Sequence, residues 1–314
     1  MRKDKKLLLA AVLLPVTLLF LGAAVAASLP AAHAAEGVPT AHIAEGQTCV
    51  GIAIQIELHA DDPEDDIVLY QLTEQPRLGT ASIEGSVLTY TPGNKAGTDR
   101  FSYTVVDADG NTAQPAAVTI TVDKNRAGLT YADMDGNPAH YAALCLAEQG
   151  IMTGECIGGV YFFHPAQTVT RSEFIAMAAA AAELPVQPTV RTDFADDSGL
   201  SPWAKPFIST AAASGLVSGY PTAGGLSEIR GQNPITLAEA SVVVGNLLGT
   251  KLDGTQYALA AQHDTDPDWA QAAVSSLERM ELLSPLTAMQ QPDEPLTRAG
   301  ACDMLYRAMQ LMHA

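Results

Sequence analysis

The chain has 314 residues, 47% of them apolar, and a formal charge of −18 from 17 Lys and Arg set against 35 Asp and Glu. That acidity argues against nucleic acid as a partner, because few cations are present to replace the counterions on phosphate. Length and apolar content suffice for two or three packed domains, so general disorder is excluded.

Residues 1–34 read as a signal peptide. Arg2, Lys3, Lys5 and Lys6 precede an uncharged apolar run over 7–27, and Ala32-His33-Ala34 has the small-residue pattern of a cleavage site. The alternative is a retained anchor, since the run is long enough to span a bilayer. Beyond it no stretch reaches spanning length, so the mature chain is expected to have no membrane contact. Residues 35–45 read as a linker.

Residues 46–123 read as an all-β sandwich. Apolar alternation over 52–58, 87–90, 101–105 and 118–122, with turn clusters between, has the spacing of a small sandwich. The ordered set Leu58-His59-Ala60-Asp61-Asp62-Pro63, Pro76-Arg77-Leu78-Gly79-Thr80, Tyr90-Thr91-Pro92, Gly97-Thr98-Asp99-Arg100-Phe101 and Asp107-Ala108-Asp109-Gly110 resembles bacterial cadherin-like, Ig-like surface repeats. That resemblance implies calcium, with Asp61, Asp62, Asp107 and Asp109 as the oxygen ligands a hard cation prefers, and Asp65 and Asp66 nearby. The competing reading is that these are Asp-rich turns.

Cysteine is sparse, at positions 49, 145, 156 and 302, with no Cys-x-x-Cys or Cys/His metal spacing. After export Cys145 and Cys156 could pair, closing a short loop worth about 2–3 kcal/mol; four thiols is the alternative.

A polar linker over 124–130 leads into three units, 131–187, 188–250 and 251–314. Each is expected to hold an apolar helix, a turn and a second, capped helix. The capped starts are Thr170-Arg171-Ser172-Glu173, Thr236-Leu237-Ala238-Glu239 and Thr297-Arg298-Ala299-Gly300. The first two have the capping-box spacing, in which two side chains satisfy orphan backbone donors. A period of roughly 60 residues makes each copy one supersecondary unit that cannot bury its own apolar face.

The openers Tyr131-Ala132-Asp133 and Phe194-Ala195-Asp196, the turns Gly150-Ile151-Met152-Thr153-Gly154 and Gly215-Leu216-Val217-Ser218-Gly219, and the Thr-Arg-Ala-Glu-like helix starts resemble the S-layer homology (SLH) repeat over nearly all of 131–314. The resemblance implies an all-α pseudo-threefold prism behind the β-sandwich. Its grooves are expected to bind pyruvylated secondary polysaccharide of a Gram-positive-type cell wall. By the same resemblance Arg171 and Arg298 are the anion contacts, and Trp203 and Trp269 are groove or core aromatics. A ketal carboxylate suits a guanidinium, which offers two parallel donors. Departures are Leu237 in the Arg position, Gly300 in the Glu position, Glu281 and Pro285 in place of turn glycines, and Pro138 with Tyr141 where the first copy should carry Trp.

No Gly-x-Ser-x-Gly, His-Glu-x-x-His or P-loop pattern is present, and His59 and His164 stand apart from partner residues in sequence. The expected function is therefore a non-catalytic, secreted wall-anchored protein displaying a β-module. The alternatives are an adhesin whose β-module carries the specific function and, more remotely, a wall hydrolase.

Overall fold

The computed structural model describes residues 37–251, 269–284 and 286–313. The signal-peptide reading of residues 1–34 lies outside the described residues, as do residues 252–268 at the start of the third unit. Residues 37–314 form one compact unit.

Nine strands build the N-terminal part: β1 (Thr40–Ala41), β2 (Ala44–Cys49), β3 (Ile54–Glu57), β4 (Ala60–Asp61), β5 (Ile67–Glu74), β6 (Gly79–Glu84), β7 (Val87–Pro92), β8 (Gly97–Asp107) and β9 (Ala116–Asp123). A four-stranded sheet in the order β2-β9-β8-β5 faces a three-stranded sheet in the order β3-β7-β6, and β1 pairs with β4. The alternation in β9, where Ala116, Val118, Ile120 and Val122 point inward, is what a strand with one buried face requires. Between the sheets Leu58, Leu88, Tyr90, Phe101, Tyr103 and Val105 fill the core.

Two polar devices hold the sandwich. Tyr103 reaches both the His42 and His59 carbonyls, at 2.7 and 2.9 Å, stitching the ends of β1 and β4 onto β8. Asp99, fully buried, accepts from the backbone N–H groups of Arg77 and Leu78 at 2.9 and 2.7 Å and from the Tyr90 hydroxyl at 3.0 Å. A buried carboxylate without such donors would be strongly unfavourable. The reading that opened the module at residue 46 left out β1 and the first two of the six residues of β2. Ala44–Cys49 is short and polar, and its pairing with β9 is parallel, so its partner lies far away in sequence.

The second part carries α1 (His140–Glu148), β10 (Glu155–Ile157), β11 (Val160–Phe162), α2 (Arg171–Ala181), α3 (Ala204–Ala213), β12 (Tyr220–Pro221), β13 (Ser227–Glu228), α4 (Leu237–Lys251), α5 (Trp269–Arg279) and α6 (Arg298–Met312). Three helix pairs, α1/α2, α3/α4 and α5/α6, surround one core that includes Leu146, Phe174, Ile208, Leu247, Leu277 and Leu305. The capping box at Thr170 forms, with Glu173 N–H on the Thr170 hydroxyl and the Glu173 carboxylate on the Thr170 N–H. Thr236 and Glu239 make the same reciprocal pair. Thr297 caps through its hydroxyl alone, because Gly300 has no side chain to return the bond.

The three units are joined by a closed ring of backbone hydrogen bonds. Val169 N–H donates to the Leu296 carbonyl at 3.1 Å, Leu296 N–H to Ile235 at 2.8 Å, and Ile235 N–H to Val169 at 2.9 Å. Each of these residues precedes a capping Thr, and all three are buried. The next tier repeats the relation: Arg171 N–H donates to Asn233, Leu237 N–H to Glu294, and Arg298 N–H to Gln167.

The segment read as a linker over 124–130 packs instead of spanning. Ala127 and Leu129 lie against the helical core, and Asn125 bonds the Leu129 carbonyl at 2.8 Å. Cys49 and Ile52 of the β-module also belong to that core.

The Asp99 cluster yields a direct expectation. Asp99→Ala removes the acceptor of four donors, the buried Tyr90 hydroxyl and the part-buried Arg77, Leu78 and Arg100 N–H groups, which should cost about 3 kcal/mol. Urea unfolding followed by circular dichroism, with Asp99→Asn as the smaller perturbation, measures it.

Candidate functional site

In the first two units an Asp from the opener clamps the end of the hairpin that precedes the capped helix. Asp133 accepts the N–H groups of Phe163 and His164, each at 2.7 Å, and Asp196 accepts those of Ile229 and Arg230 at 2.9 and 2.8 Å. His164 and Arg230 both have positive φ, +59° and +55°. That conformation costs a non-glycine residue about 1 kcal/mol, and the carboxylate offsets it. Burial alone would raise the Asp133 carboxyl, but the backbone donors outweigh it and hold it below the ordinary carboxylate range. The sequence contained these Asp residues without revealing their role, since their partners lie some thirty positions downstream.

The guanidinium of each motif Arg crosses to the neighbouring unit's clamp. Arg171 Nε donates to the Ile229 carbonyl at 2.9 Å, and Arg298 Nε donates to the Phe163 carbonyl at 2.8 Å. Leu237, the third position, is fully buried apolar surface.

From this shared frame the two arginines diverge. Arg171 is only 6% exposed. It pairs with Glu239 at 3.3 Å and stacks over the Tyr220 ring, 5.0 Å from its centroid. Arg230 covers the same ring at 4.3 Å, and the Tyr220 hydroxyl bonds Glu239. Burial pushes the Tyr220 phenol up to about 12, with Glu239 adding to the shift and Arg171 opposing it. Tyr220 therefore fills the second groove and satisfies its cation.

Arg298 is half-buried, over the Phe163 ring at 4.9 Å, with Nη2 on the Thr153 carbonyl at 3.0 Å. Position 155, next after Gly154 as Tyr220 follows Gly219, holds Glu155, which pairs outward with His164 at 3.3 Å. The first groove is open as a result. A cavity of about 300 Å3 is lined by residues 150–153, Glu173, Met177, Trp203, Phe207 and Arg298. Trp203 is 51% exposed and stands edge-on to Phe207, ring centroids 6.5 Å apart.

The turn before α3, which leads into Trp203, is tied together by Asp197. Asp197 accepts Lys205 Nζ at 2.9 Å, the Thr192 N–H at 2.7 Å and the Thr192 hydroxyl at 2.9 Å. Of the four residues proposed from sequence, the structure brings Trp203 and Arg298 into one groove. Arg171 is built into the packing, and Trp269, half-buried at the start of α5, lies against the helical core. At the third interface Gln47 of β2 joins Tyr141, Met280, Glu281, Tyr306 and Arg307 around a cavity of about 550 Å3.

In the β-module Asp62, Asp66 and Asp107 bring carboxylate oxygens within 4.8 Å of one another, so this trio could coordinate a divalent cation. Its membership differs from the set expected. Asp61 turns to His42 at 2.9 Å, and Asp109 lies outside the trio. Burial would raise Asp107, but bonds from Asn111 and from the Gly110 and Asp109 N–H groups hold it low. Desolvation and the neighbouring Asp62 and Asp107 raise Asp66. All four cysteines are thiols, with Cys156 exposed on β10. Cys145, on α1, lines a cavity with Cys49 and Asp123 of the β-module.

The profile of the bacterial Ig domain family matches residues 30–122, and that of the S-layer homology domain matches residues 193–241. The chain thus contains an N-terminal Ig-like domain and a C-terminal SLH domain, both families of non-catalytic type. Proteins with SLH domains are typically secreted and associated with the Gram-positive cell wall or S-layer, and this architecture is consistent with that. No curated protein matches the sequence. Among solved structures, a 2,6-sialyltransferase from Photobacterium sp. JT-ISH-224 is 10% identical, with 27% of this chain and 18% of that one covered and a TM-score of 0.22. The D00-D0 domain of Intimin is 14% identical, with 30% and 51% covered and a TM-score of 0.22. A SusE-like surface located polysaccharide binding protein from Bacteroides thetaiotaomicron is 15% identical, with 29% and 16% covered and a TM-score of 0.21. This chain spans about half or less of each of the three, and likeness at that level carries no functional weight.

Two outcomes follow from the geometry. Arg171→Ala strands Glu239 in a buried site and should lower stability by about 3–5 kcal/mol, whereas Arg298→Ala, more exposed, should cost less; chemical denaturation of both variants checks the contrast. The Asp197 carboxyl is lowered from 3.8 to about 2, first by Lys205 and then by Thr192. Its contribution to stability is therefore present above about pH 4 and lost as pH falls towards 2. Melting curves of wild type and Asp197→Asn should converge across that window.

Proposed function

We propose that this chain is a cell-surface protein that holds non-covalently to cell-wall polysaccharide through its first SLH groove and displays the Ig-like module. The observation that carries this reading is the pairing of the exposed Trp203 indole with the Arg298 guanidinium in one open groove. An indole face supplies the apolar surface on which a sugar ring can lie, with edges left for polar contacts. A guanidinium at the start of a helix adds local positive charge to a chain that is otherwise acidic, and the helix dipole reinforces it. An anionic sugar substituent, such as the carboxylate of a pyruvate ketal, matches that charge.

The groove suits binding better than chemistry. Its acidic member, Glu173, already spends a carboxylate oxygen on capping α2. Apart from Thr153 and Arg298, the other lining residues have no polar side-chain group beyond the Trp203 indole N–H.

The second and third grooves are assigned lesser roles. Tyr220 occupies one, and Leu237 replaces the cation at the other. A single strong site gives an affinity without the multivalent gain that three equal sites would bring.

Binding of the full chain to purified wall sacculi, before and after removal of the non-peptidoglycan polysaccharide, tests this. Trp203→Ala and Arg298→Ala should each weaken binding by about tenfold or more while leaving the fold intact. Trp269→Ala should bind as wild type. Undiminished binding to stripped sacculi, or by both groove variants, would overturn the assignment.

A further inference from the structure

Part of the junction between the β-module and the repeats runs along α1. Tyr141 and Cys145 are one helical turn apart, and so share a face. The Tyr141 hydroxyl donates to Asp123 Oδ2 at 2.6 Å. Asp123 is the register partner of Cys49 across the β2–β9 pairing, and Val50 N–H donates to its carbonyl at 2.9 Å. One residue, Asp123, is thus bracketed by Cys49 from the sheet and by the Tyr141–Cys145 face from the helix. Both cysteines line the same cavity of about 150 Å3, together with Asp123, Tyr141 and Leu144. Cys49, although on the β-module, packs as part of the helical core.

We infer that Cys49 and Cys145 are a disulfide pair, reduced in this structure and oxidised across the junction to tie the Ig-like module to the first helix of the repeats. The cavity provides entry, and Cys145, the more exposed of the two, is the attacking sulfur. Its thiolate displaces one sulfur of a disulfide-bearing oxidant, breaking that S–S bond and forming a mixed disulfide. Cys49 then attacks the Cys145 sulfur and expels the second thiol of the oxidant. Two protons and two electrons pass from the pair to the oxidant, which leaves as a dithiol or two thiols. Burial raises both thiols, Cys49 to about 11 with Cys145 and Asp123 contributing, and Cys145 with Glu148 and Asp123 contributing while Tyr141 and Tyr306 oppose the shift. Little thiolate is present at neutral pH, which favours a catalysed exchange over spontaneous air oxidation. The ring so closed contains all seven strands from β3 to β9, so a bond there confines the module as a body.

The test uses the full chain, fully reduced, then treated with oxidised glutathione plus a disulfide isomerase, denatured and alkylated. The expected product carries two of its four cysteines blocked, a mass lower by about 2 Da, and a non-reduced peptide joining positions 49 and 145. Cys145→Ser should abolish that peptide, Cys156→Ser should preserve it, and the melting temperature should fall on adding reductant to wild type but not to Cys145→Ser. Four alkylatable thiols, glutathione adducts alone, or a cross-link at 145–156 or 145–302 would each overturn the inference. Mapping on wild type decides it even where a serine variant folds poorly.

Discussion

The ring of hydrogen bonds through Val169, Ile235 and Leu296 is the constraint on which the helical half depends. None of the three segments is a strand that could stand alone, and each donates to one neighbour while accepting from the other. A backbone group buried at that depth without a partner would be costly, so the ring closes with three members or fails. Closure also fixes the start of each capped helix. The residue after each capping Thr, whether Arg171, Leu237 or Arg298, donates its N–H to the neighbouring unit, and the two arginines reach that unit's clamp.

Equivalent placement then makes the differences between copies interpretable. At one interface Tyr220 lies under two guanidiniums and on Glu239, converting a cation site into packing. At another the corresponding residue, Glu155, turns away to His164 and leaves Arg298 beside an exposed indole. At the third the cation is gone and β2 lends Gln47 to the wall of the groove. A symmetric scaffold thus carries an asymmetric set of surfaces, set by single side chains at matched positions.

The Ig-like module is part of the same compact body, and that bears on how it could be displayed. Its strands β2 and β9 bring Cys49 and Asp123 to α1, Ile52 of the turn after β2 joins the helical core, and the segment over 124–130 folds down on that core. A polysaccharide held in the groove beside Trp203 would therefore set the orientation of the module on the surface, where a flexible tether would leave it free. The acidic trio of Asp62, Asp66 and Asp107 belongs to the β4–β5 turn and the end of β8, away from that junction.

Much of the scaffold was legible in the sequence, because it follows from local rules. Alternation marked most strands, capping spacing marked the starts of α2, α4 and α6, and the period marked three helical supersecondary units, while the prism and the Arg and Trp positions came from the resemblance to the SLH repeat. What tertiary structure alone decided was the company each residue keeps. Arg171 and Arg298 have the same local sequence context, yet one is buried by a Tyr contributed from the next unit and the other is not. Asp133 and Asp196 were visible only as parts of the repeat openers, and their function as clamps depends on donors brought in by a hairpin. Cys145 sits eleven positions from Cys156 in the chain but faces Cys49 in space. Local signals report what a segment can form, because they depend on bonds within a few residues. Which groups meet across segments depends on chain closure, and only the packed molecule supplies that.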